Sequence, residues 1–334
     1  MTWKTLLDLL LSDSMIKAAV FPGVTFVIVL AMMTVWYERK LLARVALRIG
    51  PLHVGKVAGV FQLVGDGVKL IAKEVAVPGR ALKSGFVLMP ILGAFIPMMI
   101  YPFLPFGADW IIFPSEIGLL LAFAVIAVSP IPLLLAAWSS RSKYPFLGML
   151  RLAFQLFAYE VPMFLALASV VVLSGTFNLE KIVAEQASLP YVFPLPLSFL
   201  VFFISSIAES ERIPFDLPTA EQELVAGWTT EYSGILYELI MLSSYLKLNA
   251  LMILTVLLFF GGWMGPPIPF LPETITAPFW LLLKSLILLS LVLLFRGVYP
   301  RVTIDRLLDI GWRILIPLAL INLFAAALLS AYVF

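Results

Sequence analysis

The chemistry-bearing residues of this 334-residue chain gather in one stretch, Ala208 to Gly234, AESERIPFDLPTAEQELVAGWTTEYSG. Six of the chain's 20 acids lie there, Glu209, Glu211, Asp216, Glu221, Glu223 and Glu231, against one cation, Arg212. Crowded carboxylates repel one another, and burial raises their affinity for protons, so such a cluster can exchange protons near neutral pH and respond to a nearby change of charge. Pro214 and Pro218 bracket Phe215, Asp216 and Leu217, so no regular helix can run through the stretch. The competing reading is a solvated acidic loop paired with basic residues elsewhere, because structural ion-pair networks mimic functional ones.

A second set of charges falls inside apolar runs. Glu160 opens one run, Glu238 and Lys247 lie inside another, Lys284 inside a third, and Glu116 sits at the edge of a fourth. A charge at mid-bilayer costs about 2.5–3.5 kcal/mol on insertion scales, so these positions predict a bundle interior or a wet cavity, with a proton or ion path as the default function. Helical spacing puts Glu238 and Tyr245 on one face and points Lys247 nearly the opposite way. Snorkelling to an interface is the alternative for Lys247 and Lys284. Lys40, Arg44 and Arg48 make a basic stripe at spacing four, which anionic lipid headgroups would also explain. The chain has no cysteine and one histidine, His53, so it offers no thiolates for an iron–sulfur cluster and is expected to hold no metal of its own.

The elements that carry these residues are read from hydropathy. Hydrophobic residues are 62% and charged residues 13% of the chain, against about 25% charged in soluble domains, which predicts an integral membrane protein. Eight runs are long and apolar enough to span, at about 15–37, 84–104, 116–137, 154–174, 190–208, 234–260, 276–297 and 311–332. The fold class is therefore all-α, a single membrane domain over 1–334 with eight transmembrane helices. Its first 14 residues do not read as a cleaved signal, and no internal repeat is visible. Lys and Arg crowd the odd loops, with nine in the first, and the even loops hold only Lys181. The odd loops are then cytoplasmic and both termini outside. Two of these loops stand out: a basic one at 38–83 with a net charge of +6, and the acidic one at 209–233 with −5. Sharing one face, they are expected to pair into a polar platform. Within the first, apolar positions 57, 60, 61, 64, 68, 71 and 75 predict an amphipathic helix on the membrane surface.

Five segments in order carry a resemblance. They are ERKLLARVALRIGPLHVGKVAGVFQLVGDGVKLIAKE, WSSRSKYPFLGMLRLAFQLFAYEVP, the acidic stretch, FFGGW and YPRVTIDRLLDIGW. Together they resemble the quinone-channel membrane subunit of respiratory complex I, found in bacterial NADH-quinone oxidoreductase and in mitochondrial NADH dehydrogenase. The resemblance covers nearly the whole chain. It implies a non-catalytic subunit of an oxidoreductase complex, in the plasma membrane of a prokaryote, that joins a redox arm to a pumping arm. It implies a lipid-soluble carrier, quinone or methanophenazine, as substrate, and no cofactor on this chain. Implied partners are hydrophilic proteins holding Fe–S clusters, small membrane subunits, antiporter-like pump subunits and the bilayer, with no nucleic acid. By motif, Glu38, Arg39, Arg48, Arg212, Asp216 and Arg301 would line or support the carrier channel. Glu160, Glu209, Glu221, Glu223 and Glu231 would begin a charge relay.

The departures from the pattern suggest a branch fed by ferredoxin or a reduced deazaflavin. Thr219 stands where many relatives have an acid, and Thr303 where they have an arginine. Ser244 replaces a relay glutamate, so Glu238 becomes a candidate relocated carboxylate. Two other readings stay open here: the matching subunit of a membrane-bound [NiFe]-hydrogenase-type complex without a lipid carrier, and a stand-alone secondary transporter.

Overall fold

In a computed structural model the chain is described over residues 13–55, 58–269 and 272–333, and those residues contain helices and connecting turns but no strand. A short α1 (Asp13–Ala19) leads into α2 (Val24–Val45). A surface helix α3 (Gln62–Ala72) follows, then α4 (Lys83–Met98). The third apolar run is two helices, α5 (Gly118–Val128) and α6 (Pro130–Ser139), because Pro130 has no N–H to continue the ladder. Next come α7 (Lys143–Ser174), α8 (Leu179–Glu185), α9 (Pro196–Glu209), a single turn α10 (Glu221–Leu224) and α11 (Gly234–Phe259). The chain ends with α12 (Glu273–Val298), α13 (Ile304–Asp309) and α14 (Ile316–Val333), the last two joined by a wide π-type turn over Ile310–Leu315.

Seven segments are long and apolar enough to cross a membrane: 17–45, 83–103, 118–139, 143–174, 234–259, 274–298 and 304–331. The run expected at 190–208 differs from the other seven. It forms α9, an apolar helix of 14 residues. Leu195-Pro196 delays its start and the loop that begins at Ser210 ends it. The fourth run is longer than hydropathy suggested, because the charged residues before it, Lys143 and Arg151, are already helical.

α11 is the axis of the bundle. Its most apolar window is 83% buried, against 22–50% for the other six spans. Around it pack α4, α12, α2, α3 and α9. A second contact set joins α7 to α9, α14 and α6. These helices bury one another without polar stripes, as expected where lipid covers the outer faces.

The surface helix α3 is shorter than the predicted 57–75 pattern. Gly59 precedes it with φ +76°, and a Cβ there would lie 2.5 Å from the Pro51 carbonyl oxygen, so the chain turns tightly before the helix starts. Leu63 is buried against the bundle, whereas Val64, Val68 and Ile71 stay exposed. An oily outer face of that kind is the mark of an interfacial helix.

Lys284 is bound by backbone carbonyls at the end of α11. Its ammonium donates to the carbonyls of Phe260, Gly262 and Met264 at 2.8, 3.0 and 2.6 Å. It thereby ties down the turn that follows α11, where Gly261 and Gly262 take left-handed backbone. Hydrogen bonds to a charged donor are worth about 1.5–3 kcal/mol. Lys284→Met should lower the melting temperature of the purified complex and speed proteolysis at 261–269, by a loss of about 2 kcal/mol. An unchanged melting curve would contradict this role.

Candidate functional site

The last two turns of α2, the loop before α11 and the end of α12 meet at one buried point. Glu38 is 2% exposed, and both its carboxylate oxygens lie 3.3 Å from the Arg212 guanidinium. Arg296, at the end of α12, pairs with the same carboxylate. Arg212 also sits over the Tyr245 ring, 4.2 Å from its centroid. Burial works against the Arg212 charge, but Glu38, Tyr245 and Asp216 outweigh it and hold the guanidinium firmly protonated. A planar guanidinium can serve a carboxylate and an aromatic face at once, which an ammonium cannot do as well.

Three cavities border this point, and Tyr245 lines all of them. The first, of about 460 Å³, is walled by Glu38, Arg39, Arg48, Tyr245 and Arg296. The second, of about 210 Å³, lies under the acidic loop between Glu211, Arg212, Asp216, Trp228, Ser244 and Tyr245. The third, of about 430 Å³, is largely apolar and lies between α2, α3 and α11, with Leu63, Leu70, Ile71 and Leu242 on its walls. Its polar residues include Arg39, Asp66 and Glu238. Arg39 pairs with Asp66, which also accepts from Gln62 at 2.9 Å. Burial alone would raise the Asp66 carboxyl, but the hydrogen bonds from Arg39 and Gln62 bring it below its ordinary value. That pair fastens the surface helix to α2.

The acidic loop finds its cations on the bundle, and this corrects the expected pairing with the basic first loop. Among the described residues no first-loop Lys or Arg forms an ion pair with a carboxylate of 209–233. Instead Arg151 of α7 pairs with Glu223. Arg301 reaches Asp216 at 3.4 Å and Gln222 at 2.9 Å. Lys247 of α11 lies 3.4 Å from Glu209 and 3.8 Å from Glu211. The two loops do touch, but through the reversed pair Arg212–Glu38 and through Ser233, which accepts from the Ala76 N–H at 3.1 Å. The reason is geometric. The cations of α3 and its flanks face outward, whereas the acidic loop folds back over α7 and α11.

Lys247 is the residue whose role its position in the sequence did not reveal. It is 1% exposed in the middle of the most buried helix, and its ammonium sits between two buried carboxylates. Glu211 is pushed upward by burial, and Lys247 pulls it partly back. Arg151 and Arg296 were legible only as topological charges. The available signal was arithmetic: buried carboxylates in a loop require buried cations within reach, and the spans before and after it offer few.

The remaining expected residues separate. Arg48 reaches the charged cavity from an exposed position. Glu160 is half-buried on α7. Glu231 is partly exposed and has no ion pair among the described residues. Glu221 opens α10, but its side chain lies outside the described residues. Glu238 lines the apolar cavity, and Ser244 the inner one. Thr219, in the place of an acid, gives its hydroxyl proton to Asp216.

A bundle of apolar helices with a buried, balanced charge cluster at one end defines a membrane protein built around an internal polar junction. Comparison with known proteins identifies its kind. A model of the family described as NADH dehydrogenase matches residues 17–327. The chain is 41% identical over 298 residues to the H subunit of NADH-quinone oxidoreductase from Geobacillus sp. (strain WCH70), covering 89% of this chain and 88% of that protein. It is 38% identical over 326 residues to the second H subunit of the same enzyme from Rhizobium meliloti (strain 1021), covering 95% and 98%. The chain belongs to the NADH dehydrogenase family, as a multi-pass membrane protein related to one component of a bacterial oxidoreductase complex.

Removing Lys247 should be costly. A buried charge left without its partner costs about 3–5 kcal/mol. Lys247→Met is expected to reduce the assembled complex on native gels by more than half. It should also make stability pH-dependent. With Glu211 above its ordinary value when folded, the native state binds the extra proton, so stability falls as pH rises and is regained on acidification. Melting temperatures that do not rise as the pH is lowered toward the ordinary glutamate range would refute the assignment.

Proposed function

We propose that this protein forms the access channel of a lipid-soluble carrier, quinone or methanophenazine, and couples its reduction to ion translocation. The observation that carries the reading is the sequence of cavities sharing Tyr245: a largely apolar one between α2, α3 and α11, then two charged ones beside Glu38 and Arg212. A carrier with a long apolar tail needs that order, since its tail is favoured in apolar surroundings and its head needs donors. Carrier reduction adds two electrons and two protons and changes charge beside Arg212 and Arg301. The carboxylates that now hold those cations, Glu38 and Asp216, respond first. Glu211, Glu209 and Lys247 then transmit the change toward α7, where Arg151 holds Glu223 and Glu160 lies further along the helix.

Orientation belongs to the same reading. The charged cluster faces the cytoplasm, α9 completes eight crossings, and both termini lie outside. Electrons come from an Fe–S protein docked on the cytoplasmic loops, and the relay continues into antiporter-like membrane subunits. The plasma membrane of a prokaryote is the setting. The apolar lateral cavity favours this over a carrier-free hydrogenase-type counterpart, which would have no use for it.

Two experiments test the parts separately. Leu70→Trp narrows the apolar cavity without touching a charge. It should raise the KM of the assembled complex for long-tailed carrier about tenfold or more, with reduction of a water-soluble acceptor by the Fe–S arm unchanged. An unaltered KM would count against the entry route. Glu223→Gln should lower ions moved per electron while carrier reduction continues. Glu238→Gln, on the entry cavity rather than the relay, should leave that ratio intact. Equal losses of the ratio in both variants would reject the division of roles.

A further inference from the structure

A fourth cavity lies on the opposite flank of α2 from the entry route, between α2, α11 and α12. It holds about 280 Å³ and is walled chiefly by Leu30, Met33, Met252, Ile253, Leu286 and Leu289. Met33 and Leu286 are 40% and 42% exposed, so it opens sideways toward lipid. Among the polar residues that line it, two face each other: Thr34 of α2 and Asn249 of α11.

Asn249 is 5% exposed and its amide nitrogen has no hydrogen-bond partner. A buried amide donor left unmade costs about 1–3 kcal/mol, so a persistent one points to a missing partner. The amide oxygen is held by Thr34, whose hydroxyl lies 3.0 Å from it and 2.9 Å from the Leu30 carbonyl. A threonine has one proton to give and here has two acceptors within reach. When the proton goes to Asn249, the amide N–H groups are left without a partner beside the cavity. When it goes to Leu30, the amide can turn its nitrogen to Thr34 and its oxygen to the cavity. One side chain can therefore donate to a carbonyl or accept from a hydroxyl.

We propose that this cavity is a second binding site, for an apolar membrane-soluble molecule bearing a carbonyl that accepts from Asn249. A free quinone and the ester of a phospholipid chain share that chemistry. Depth separates them. Asn249 lies near the middle of the 26-residue α11, roughly 22 Å from its start and 15 Å from its end. Ester carbonyls sit at the border of the hydrocarbon region, whereas a free quinone reaches its centre. The switchable amide suits a quinone that leaves as a quinol. The inference shares with the channel reading only the chemical class of the ligand; no residue of the Glu38–Arg212 cluster takes part.

The test uses the assembled complex in nanodiscs and two photoreactive probes, an azidobenzoquinone with a polyprenyl tail and a phosphatidylcholine with a diazirine on its acyl chain. Labelled peptides are identified by mass spectrometry. The quinone probe should label residues 30–37 and 282–289. Asn249→Leu should reduce that labelling at least tenfold, as should Met33→Trp, which fills the cavity and leaves the polar pair in place. Labelling at 38–50, beside the charged cavity, should stay unchanged in both. Labelling by the phospholipid probe alone, with the same dependence on Asn249, keeps the carbonyl site and assigns it to lipid. Labelling that ignores both substitutions overturns the proposal, as does quinone labelling confined to 38–50, which leaves the site to water. Labelling at 30–37 and 282–289 without any at 38–50 would instead sink the channel reading and leave this site standing.

Discussion

The structure depends on charge balance at low dielectric. An unpaired ion at the depth of α11 would be too costly to fold, so each buried charge is matched across helices distant in sequence. Glu38 from the first long helix serves Arg212 and Arg296, and Lys247 from the central helix serves Glu209 and Glu211. These ties join α2, α12 and α11 to the acidic loop and to the end of α9. Dispersion and lipid exclusion pack apolar helices without strong preference among neighbours, whereas an ion pair at about 3–4 Å selects one register. The polar junction thus fixes where α2, α11 and α12 stand relative to the loop.

That arrangement also makes the junction sensitive. A carboxylate shared by two arginines is near balance, and a new negative charge beside either arginine changes what remains for Glu38. The same holds for a lysine between two glutamates. Such triads are poor choices for mere rigidity, since replacing buried ion pairs with apolar side chains often stabilises a fold. Their presence at the meeting point of three cavities gives them a reason that packing does not.

Much of this was legible from residue types and order. Hydropathy located seven spans, four of them within about two residues at each end; the other three run seven to eleven residues further, at the end of α2 and at the starts of α7 and the last span, where charged residues are also helical. The signature segments located Glu38, Arg212, Asp216 and Arg301 at one end of the bundle. The pairing was less legible. Net charges of +6 and −5 suggested that two loops attract, but net charge carries no direction, and the cations of α3 point away. Lys247 was visible as an anomaly in an apolar run, yet helical spacing says only which face it occupies. That its face meets the end of α9 is a tertiary fact. Glu238, whose type fitted a relay, stands on the wall of the apolar cavity.

The short α9 carries one more consequence. A helix of 14 residues reaches about 21 Å, against a hydrocarbon thickness of about 30 Å. A crossing built on it leaves a mismatch of several ångströms, met by local thinning of the bilayer or by polar chain dipping below its surface. Glu209 is the last residue of that helix and is 2% exposed. In the proposed eight-span arrangement the acidic loop would begin beneath the headgroups, and the distance a lipid-borne head must climb to meet it would be shortened by the same amount. On that reading membrane thickness would become a variable of the proposed reaction, set by the lipids around one undersized helix.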